Sequence, residues 1–378
     1  MIKYRAVRTN SIGNVIVCIL LLLTFSCSAP EPYIIGFLGG MTGGLSDISI
    51  AGRNGVILAI EEVNRKGGIL DRKVELLIKD DKGDPESALQ SMASFADKGV
   101  VGVIGPMTSE ISRVTAPLAQ QEEIVMISPT ANSADFSGQG DFFFRVSSTD
   151  RDEAHQLADL AFHKRGYHRV SILYDLTNRE YAENRVLYFK NFIEEFGGTI
   201  VQITSYTTRD DTDFGLLATQ VSQNNPDAVY ILAGAGDLAR ICRQLKKQEQ
   251  NLPVLATGWA ITPDLIRQSG AAVEGIEFFQ SYDLNSQAVA YQGFIRNYKD
   301  RFHENPPFGA FYAYESVTVL LTALEWAGNK RNVNKVIHEI KVFDGLQDTI
   351  VFDQYGAAER SLVHKKIDNG IIVTISQE

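Results

Sequence analysis

Short apolar runs alternate with amphipathic stretches along most of the chain. Tyr33-Ile34-Ile35-Gly36-Phe37-Leu38 is a run of strand length that ends at Gly39 and Gly40. From Ala51 to Lys66, apolar Val56, Ile57, Ala59, Ile60 and Val63 recur at helical spacing, and Gly67-Gly68 stops the pattern. The unit then repeats, with strands predicted over 74–78, 100–104 and 124–127 and helices over 85–96 and 109–121. After Phe142-Phe143-Phe144-Arg145-Val146 it resumes, with strands over 170–174, 199–204, 228–232 and 254–256. Helices over 150–164, 180–196, 214–222 and 237–248 separate them. Two further helices, 288–302 and 309–326, precede a hairpin turning at Asp368-Asn369-Gly370. Strands that alternate with helices demand parallel pairing, so the pattern predicts an α/β protein of two doubly wound parallel-sheet lobes. A length of 378 residues is consistent with two lobes that each bury a core.

The first segment departs from this rhythm. Lys3, Arg5 and Arg8 precede an uncharged run from Val15 to Phe25, the layout of an export signal, and the run is too short to span a bilayer. Residues 1–26 are read as a signal peptide, with Ser26-Cys27 as a lipoprotein processing site at which Cys27 carries the lipid; ordinary cleavage near Ser26 or Ala29 is the other reading. Loss of Lys3, Arg5 and Arg8 with the leader would take 36 basic residues to 33 against 46 acidic ones, a net of −13. Such a chain is a poor partner for nucleic acid, which needs a basic face. With Cys18 and Cys27 accounted for, Cys242 is the remaining thiol, so no internal disulfide is expected, and its helical setting reads as a small buried hydrophobe.

Several stretches in order resemble the leucine/isoleucine/valine-binding group of type I periplasmic solute-binding proteins. They are Ala59-Ile60-Glu61-Glu62-Val63-Asn64 with Lys66-Gly67-Gly68-Ile69, Asp80-Asp81-Lys82-Gly83-Asp84-Pro85, and Val103-Ile104-Gly105-Pro106 with Ser109. Ile127-Ser128-Pro129, Tyr174-Asp175 with Tyr181, and Tyr314-Glu315 continue the series. The resemblance implies a ligand cleft between lobes joined by three crossings. It gives an N-terminal lobe of 27–147 and 280–348 and a C-terminal lobe of 148–279 and 349–378. It further implies hinge closure on a small polar or carboxylate ligand, amino-acid-like or a related organic acid, and delivery to an ABC permease in the inner membrane. The expected protein is a monomer held in the periplasm or cell envelope by its lipid alone, with no cofactor and no metal. A periplasmic sensor module that reports to a chemoreceptor or histidine kinase is the alternative.

Physics places the ligand independently at the carboxyl ends of the strands, where loops lead into helix N-termini. Ser109 stands at such a helix start, as a carboxylate ligand or as a helix cap. In the loop Thr130-Ala131-Asn132-Ser133, the resemblance gives a hydroxyl to the ligand carboxylate; Asn132 holds that place, with Thr130 two residues earlier. Thr42 belongs to a glycine-rich loop that either lets backbone approach a ligand or only connects. Tyr181 matches a ligand-facing tyrosine, its other reading being a surface aromatic. Trp259 forms an apolar or cation-binding wall, or simply packs. Where the resemblance expects an acid to pair with a ligand ammonium, the sequence has Ala260; a tyrosine near Ala233 to Ala235 is also missing, and Ile48 replaces another. Asp237 and Glu110 are the nearest substitute acids, although an acid in a first helical turn is already explained by the helix dipole. The cysteine positions of the group are Gly83 and Thr108 here.

An oxidoreductase is disfavoured, because no G-x-G-x-x-G follows the first strand. Walker A, G-x-S-x-G, H-E-x-x-H and C-x-x-C patterns are also missing, and the six histidines are scattered. The sequence reads as a binding protein, not an enzyme.

Overall fold

A computed structural model describes residues 30–42, 46–133 and 142–375. The signal segment, Cys27 and Gly43-Gly44 lie outside these residues.

The first lobe is built on a parallel sheet of order β2-β1-β3-β4-β5. Its strands are β1 (Tyr33–Gly39), β2 (Val74–Asp80), β3 (Gly102–Ile104), β4 (Val125–Ser128) and β5 (Phe143–Arg145). β3, β4 and β5 are buried at every position, which is why they read as unbroken apolar runs rather than alternating ones. Between them run α1 (Ser46–Arg65), α2 (Pro85–Lys98) and α3 (Ser109–Gln121). α2 carries its start and stop signals in sequence: Asp84 accepts from the Ser87 N–H at 2.8 Å, Pro85 opens the helix, and Gly99 closes it at φ +62°.

The second lobe has a sheet of order β15-β14-β10-β9-β8-β6-β7. Its parallel strands are β6 (Arg169–Asp175), β7 (Thr199–Tyr206), β8 (Ala228–Leu232), β9 (Val254–Ala256) and β10 (Glu277–Gln280). β14 (Val363–Asp368) and β15 (Ile371–Thr374) add antiparallel to one edge through the expected turn, whose Asn369 and Gly370 both have positive φ. Helices α4 (Asp150–Asp159), α5 (Arg179–Glu195), α6 (Phe214–Val221), α7 (Ala235–Lys247) and α8 (Pro263–Ser269) cover it. The helix expected over 150–164 is α-helical only to Asp159 and continues as a wider π turn over Leu160–Lys164.

From β10 the chain returns to the first lobe as α9 (Val289–Phe302), α10 (Phe308–Ala327) and α11 (Val333–Ile340). α10 lies against α1 at backbone distance, because a Cβ on Gly55 would come 2.3 Å from Ala310 O. That approach fixes where Ile48, Phe308 and Tyr312 sit. A small sheet of β11 (Val342–Asp344), β12 (Thr349–Phe352) and β13 (Ala358–Glu359) shares the first lobe's hydrophobic core through Phe343, Ile350, Phe352 and Ala358.

The chain therefore crosses between lobes three times: after β5, after β10 and between β13 and β14. Ile350, Phe352 and Ala358 pack in the first lobe's core, so the last crossing follows β13, at 360–362. Arg360 marks it. Its buried guanidinium pairs with Glu315 and with Asp348 at 2.9 Å, and donates to Val146 O at 2.9 Å, so it ties the third crossing to the first. Cys242 is buried in the second core, and burial pushes its thiol up to about 12, in keeping with an inert packing role.

Candidate ligand-binding cleft

The carboxyl ends of both sheets face a narrow cleft of about 60 Å³. On the first-lobe side stand Ile48 of α1, Met107 and Thr108 before α3, Thr130 and Asn132 after β4, and Phe308 and Tyr312 of α10. Ser147 comes from the first crossing. The second lobe supplies Glu153 of α4, Asn178, Tyr181 of α5, Gly258 and Trp259 after β9, and Gln280 of β10.

Of the residues singled out in sequence, Thr130, Asn132, Tyr181 and Trp259 meet in this cleft. Ser109 is the first residue of α3 and is buried just behind the wall; the cap position, which lines the wall, is Thr108. Thr108 makes no side-chain cap bond, so its hydroxyl is not consumed by the helix. Thr42 is not brought to the cleft: it is exposed and donates to Asp80 at 3.2 Å, folding its loop onto the end of β2. Neither substitute acid lines the cleft. Asp237 accepts from Tyr206 Oη at 3.2 Å and from Thr208, within the second lobe. Glu110 faces α5 and accepts from the Glu180 N–H at 3.3 Å. Ala260 is buried in the second core beside the cleft wall.

Sequence reasoning missed Glu153, which is the ionisable carboxylate on the wall. Its signal was faint, one acid among Asp150, Asp152 and Glu153 in a helical first turn. Arg185 donates to it, while Ser148 Oγ donates to its other oxygen at 2.8 Å. The same guanidinium donates to Asp150 O at 2.8 Å and Tyr230 Oη at 3.1 Å. Burial works against the Arg185 charge, but Glu153 beside it holds the group well above its ordinary value. The pair is neutral as a unit.

Tyr181 and Trp259 meet edge to face, with ring centroids 5.6 Å apart. Burial raises the Tyr181 phenol, which stays protonated. With Ile48, Met107, Phe308 and Tyr312 these rings make most of the wall apolar. The polar atoms left over are few: Asn132 Oδ1 and Ser147 Oγ are buried without a hydrogen-bond partner. The Thr130 hydroxyl donates to Met107 O and so offers a ligand only its lone pairs.

Across the mouth, the lobes touch. The Glu110 N–H donates to Asn178 Oδ1 at 3.3 Å, Arg113 pairs with Glu180 at 3.2 Å, and Asn184 Nδ2 donates to Ser133 Oγ at 2.9 Å. Among the described residues no cluster of metal-ligating side chains occurs, and no helix is long and apolar enough to cross a membrane.

Two doubly wound lobes, three crossings and a cleft at the strand ends define a type I periplasmic binding protein fold. The chain belongs to the periplasmic binding protein family, whose model matches residues 32–369. It is 25% identical over 356 residues to a Leu/Ile/Val-binding protein homolog of Brucella melitensis, covering 92% of this chain and 95% of the relative. The crystal structure of a leucine binding protein from Thermotoga maritima superimposes with a TM-score of 0.82 at 28% identity, covering 91% of this chain and 98% of the other. A solute binding protein of an ABC transporter from R. palustris, solved in complex with benzoate, shares the fold with a TM-score of 0.83 at 16% identity, over 91% and 95% of the two chains. These are binding proteins, and the chain is not an enzyme.

Proposed function

We propose that the protein captures a small solute with a carboxylate or other polar head and an apolar body, amino-acid-like or a related organic acid, by closing its lobes over it. The solute then passes to an ABC permease in the inner membrane. The observation that carries this reading is the cleft itself. Both lobes contribute to a wall that is mostly apolar, and among its polar atoms Asn132 Oδ1 and Ser147 Oγ are buried and without a hydrogen-bond partner. Buried polar groups are ordinarily satisfied, so unsatisfied ones facing a cavity mark where a ligand's polar groups belong: the Ser147 hydroxyl can donate to a carboxylate, whereas Asn132 Oδ1 accepts and would take a donor of the ligand. Thr108 and the first-turn N–H groups of α3 add donors at the same end. The names of the relatives support transport as the setting. The basic leader and Ser26-Cys27 support export and anchoring through Cys27, with the folded part working as a monomer in the periplasm.

A thermal-shift panel of amino acids, aromatic acids, amides and short-chain carboxylates tests the capture, because a ligand bound only by the folded state raises the melting temperature. At least one carboxylate should do so, and small-angle scattering with it should give a smaller radius of gyration. No shift across the panel would overturn the ligand class. Cys27→Ala should move the protein from the membrane to the soluble fraction, and equal membrane association would reject the anchor.

A further inference from the structure

Behind the cleft wall a lysine is sealed in the second lobe. Lys365 of β14 is fully buried; its Nζ donates to Gln280 Oε1 at 2.9 Å and lies 3.9 Å from the centroid of the Tyr282 ring. Gln280 Nε2 donates in turn to Gly258 O at 2.9 Å. Gln280, Gly258 and Trp259 all line the cleft. A side chain at Gly258 would come 2.4 Å from Gln280 Cγ. The ammonium, the amide and the tryptophan loop thus form one packed unit that ends at the wall.

An ammonium buried without a carboxylate is costly, and burial holds Lys365 down to about 7. Among the described residues Lys365 makes no ion pair. Asp283, in the segment that leaves β10, favours its charge from a distance, while its own carboxylate accepts from Thr374 Oγ1 at 2.8 Å and the Asn285 N–H at 3.0 Å. Glu277, His364 and Arg165 form a separate cluster on the opposite face of the sheet, because Phe278 and Gln280 share the face of Lys365 whereas Glu277 and Phe279 share that of His364. The neighbouring ionised groups pair off, Glu153 with Arg185 and Glu315 with Arg360. Lys365 is left without a direct ion-pair partner among the described residues, with Asp283 attracting it from a distance.

We propose that Lys365 is a specificity-determining residue, whose ammonium biases the cleft toward an anionic head and, through Gln280, fixes the Gly258-Trp259 wall against which the apolar body packs. The assignment rests on the cleft being the solute site, and it narrows the solute to monocarboxylates without an amine. The field acts through a low-dielectric wall, where a unit charge is screened far less than in water.

Matched probes isolate the charge: benzoate with benzamide, and 4-methylpentanoate with 4-methylpentanamide, titrated calorimetrically into wild type, Lys365→Met and Gln280→Glu. Wild type should prefer the carboxylate of a pair. Lys365→Met should lose roughly tenfold or more of the carboxylate affinity beyond whatever loosening of the Gln280–Gly258 wall costs the matched amide. Gln280→Glu, which seats a carboxylate against the ammonium, should lose it in the same direction. Wild-type carboxylate affinity should weaken as pH rises from about 6 to about 9 and Lys365 loses its proton, and the Lys365→Met profile should stay flat. Lys365→Met removes a buried charge but leaves Gln280 Oε1 without its donor, so melting temperatures are read beside the titrations, and Gln280→Glu, which keeps a partner for the ammonium, stands as the second variant.

Equal losses for carboxylate and amide would reduce Lys365 to packing and overturn the proposal, as would unchanged affinities. If wild type binds none of these probes but another solute of the wider panel stabilises it, the proposal fails and the cleft stands. If nothing in the panel stabilises the protein, both fail.

Discussion

The two walls of the cleft hold polar residues in opposite states. On the first lobe, Thr108 makes no cap bond and Asn132 Oδ1 has no partner, and among the described residues no charged side chain reaches the surface of the wall. On the second lobe nearly every polar group is already committed: Glu153 to Arg185 and Ser148, and Gln280 to Lys365 and Gly258. Unspent groups can bind a ligand head at once, whereas committed ones resist rearrangement and present a shaped surface. The comparison assigns head recognition to the first lobe and body selection to the second, with Trp259 and Tyr181 as the selecting face.

The largest effect should come from breaking a commitment on the second wall. Arg185→Met leaves Glu153 part-buried without its cation, and removing one partner of a buried pair costs about 3–5 kcal/mol. Urea unfolding of the apo protein should register that loss, and adding Glu153→Leu should restore most of it. A single variant as stable as wild type would mean the second wall is not held by this pair. Somewhat smaller is the penalty for an amino-acid ligand. Its ammonium would meet a wall whose lining carboxylate, Glu153, already serves Arg185, so leucine, isoleucine and valine should bind roughly two to three decades more weakly than at a site with a free acid. Sub-micromolar binding of any of them by calorimetry would refute this.

On the first wall the effect should be on affinity rather than stability. Asn132→Leu should cost about 1–3 kcal/mol in binding a carboxylate probe that stabilises wild type, because a carboxylate can accept from the amide's Nδ2 donor, although not pair with its acceptor Oδ1. Its melting temperature should hold, because Oδ1 has no partner to lose. Thr108→Val should weaken binding more than Ser109→Ala, since Thr108 is on the wall and Ser109 lies behind it. The reverse order would put the Ser109 hydroxyl back at the ligand.

Much of the fold was legible because its determinants are local. The periodicities of α3, β8 and β9 gave their boundaries without error, β8 and β9 as unbroken apolar runs and α3 from its apolar spacing, without a side-chain cap bond. The third crossing has no local signal, because β11 to β13 are short and carry no pattern that says which lobe they join. Within the cleft, Thr130, Asn132, Tyr181 and Trp259 were reachable because each follows a recognisable strand or opens a helix. Glu153, Ser147, Gln280 and Lys365 were not. Their roles arise where segments far apart in sequence converge, as when Lys365 meets Gln280 across 85 positions.

The smallest effect concerns how the walls meet. Arg113 on α3 pairs with Glu180 on α5 at 3.2 Å, and the two side chains are 56% and 18% exposed. Exposure keeps such a pair at about 0–1 kcal/mol, because water and salt screen it. A contact between lobes acts only when they are together, so its whole contribution falls on the closed state, and 1 kcal/mol is roughly a fivefold shift in an open–closed ratio. Arg113→Ala should therefore raise the mean radius of gyration of the ligand-free protein and weaken carboxylate binding by no more than about fivefold. Both differences should shrink as salt rises toward about 1 M, where the Debye length is only about 3 Å. An affinity loss independent of salt would show that Arg113 acts by packing on Glu110 and Asn178, and the meeting of the walls would then rest on the neutral Asn184–Ser133 and Glu110–Asn178 hydrogen bonds.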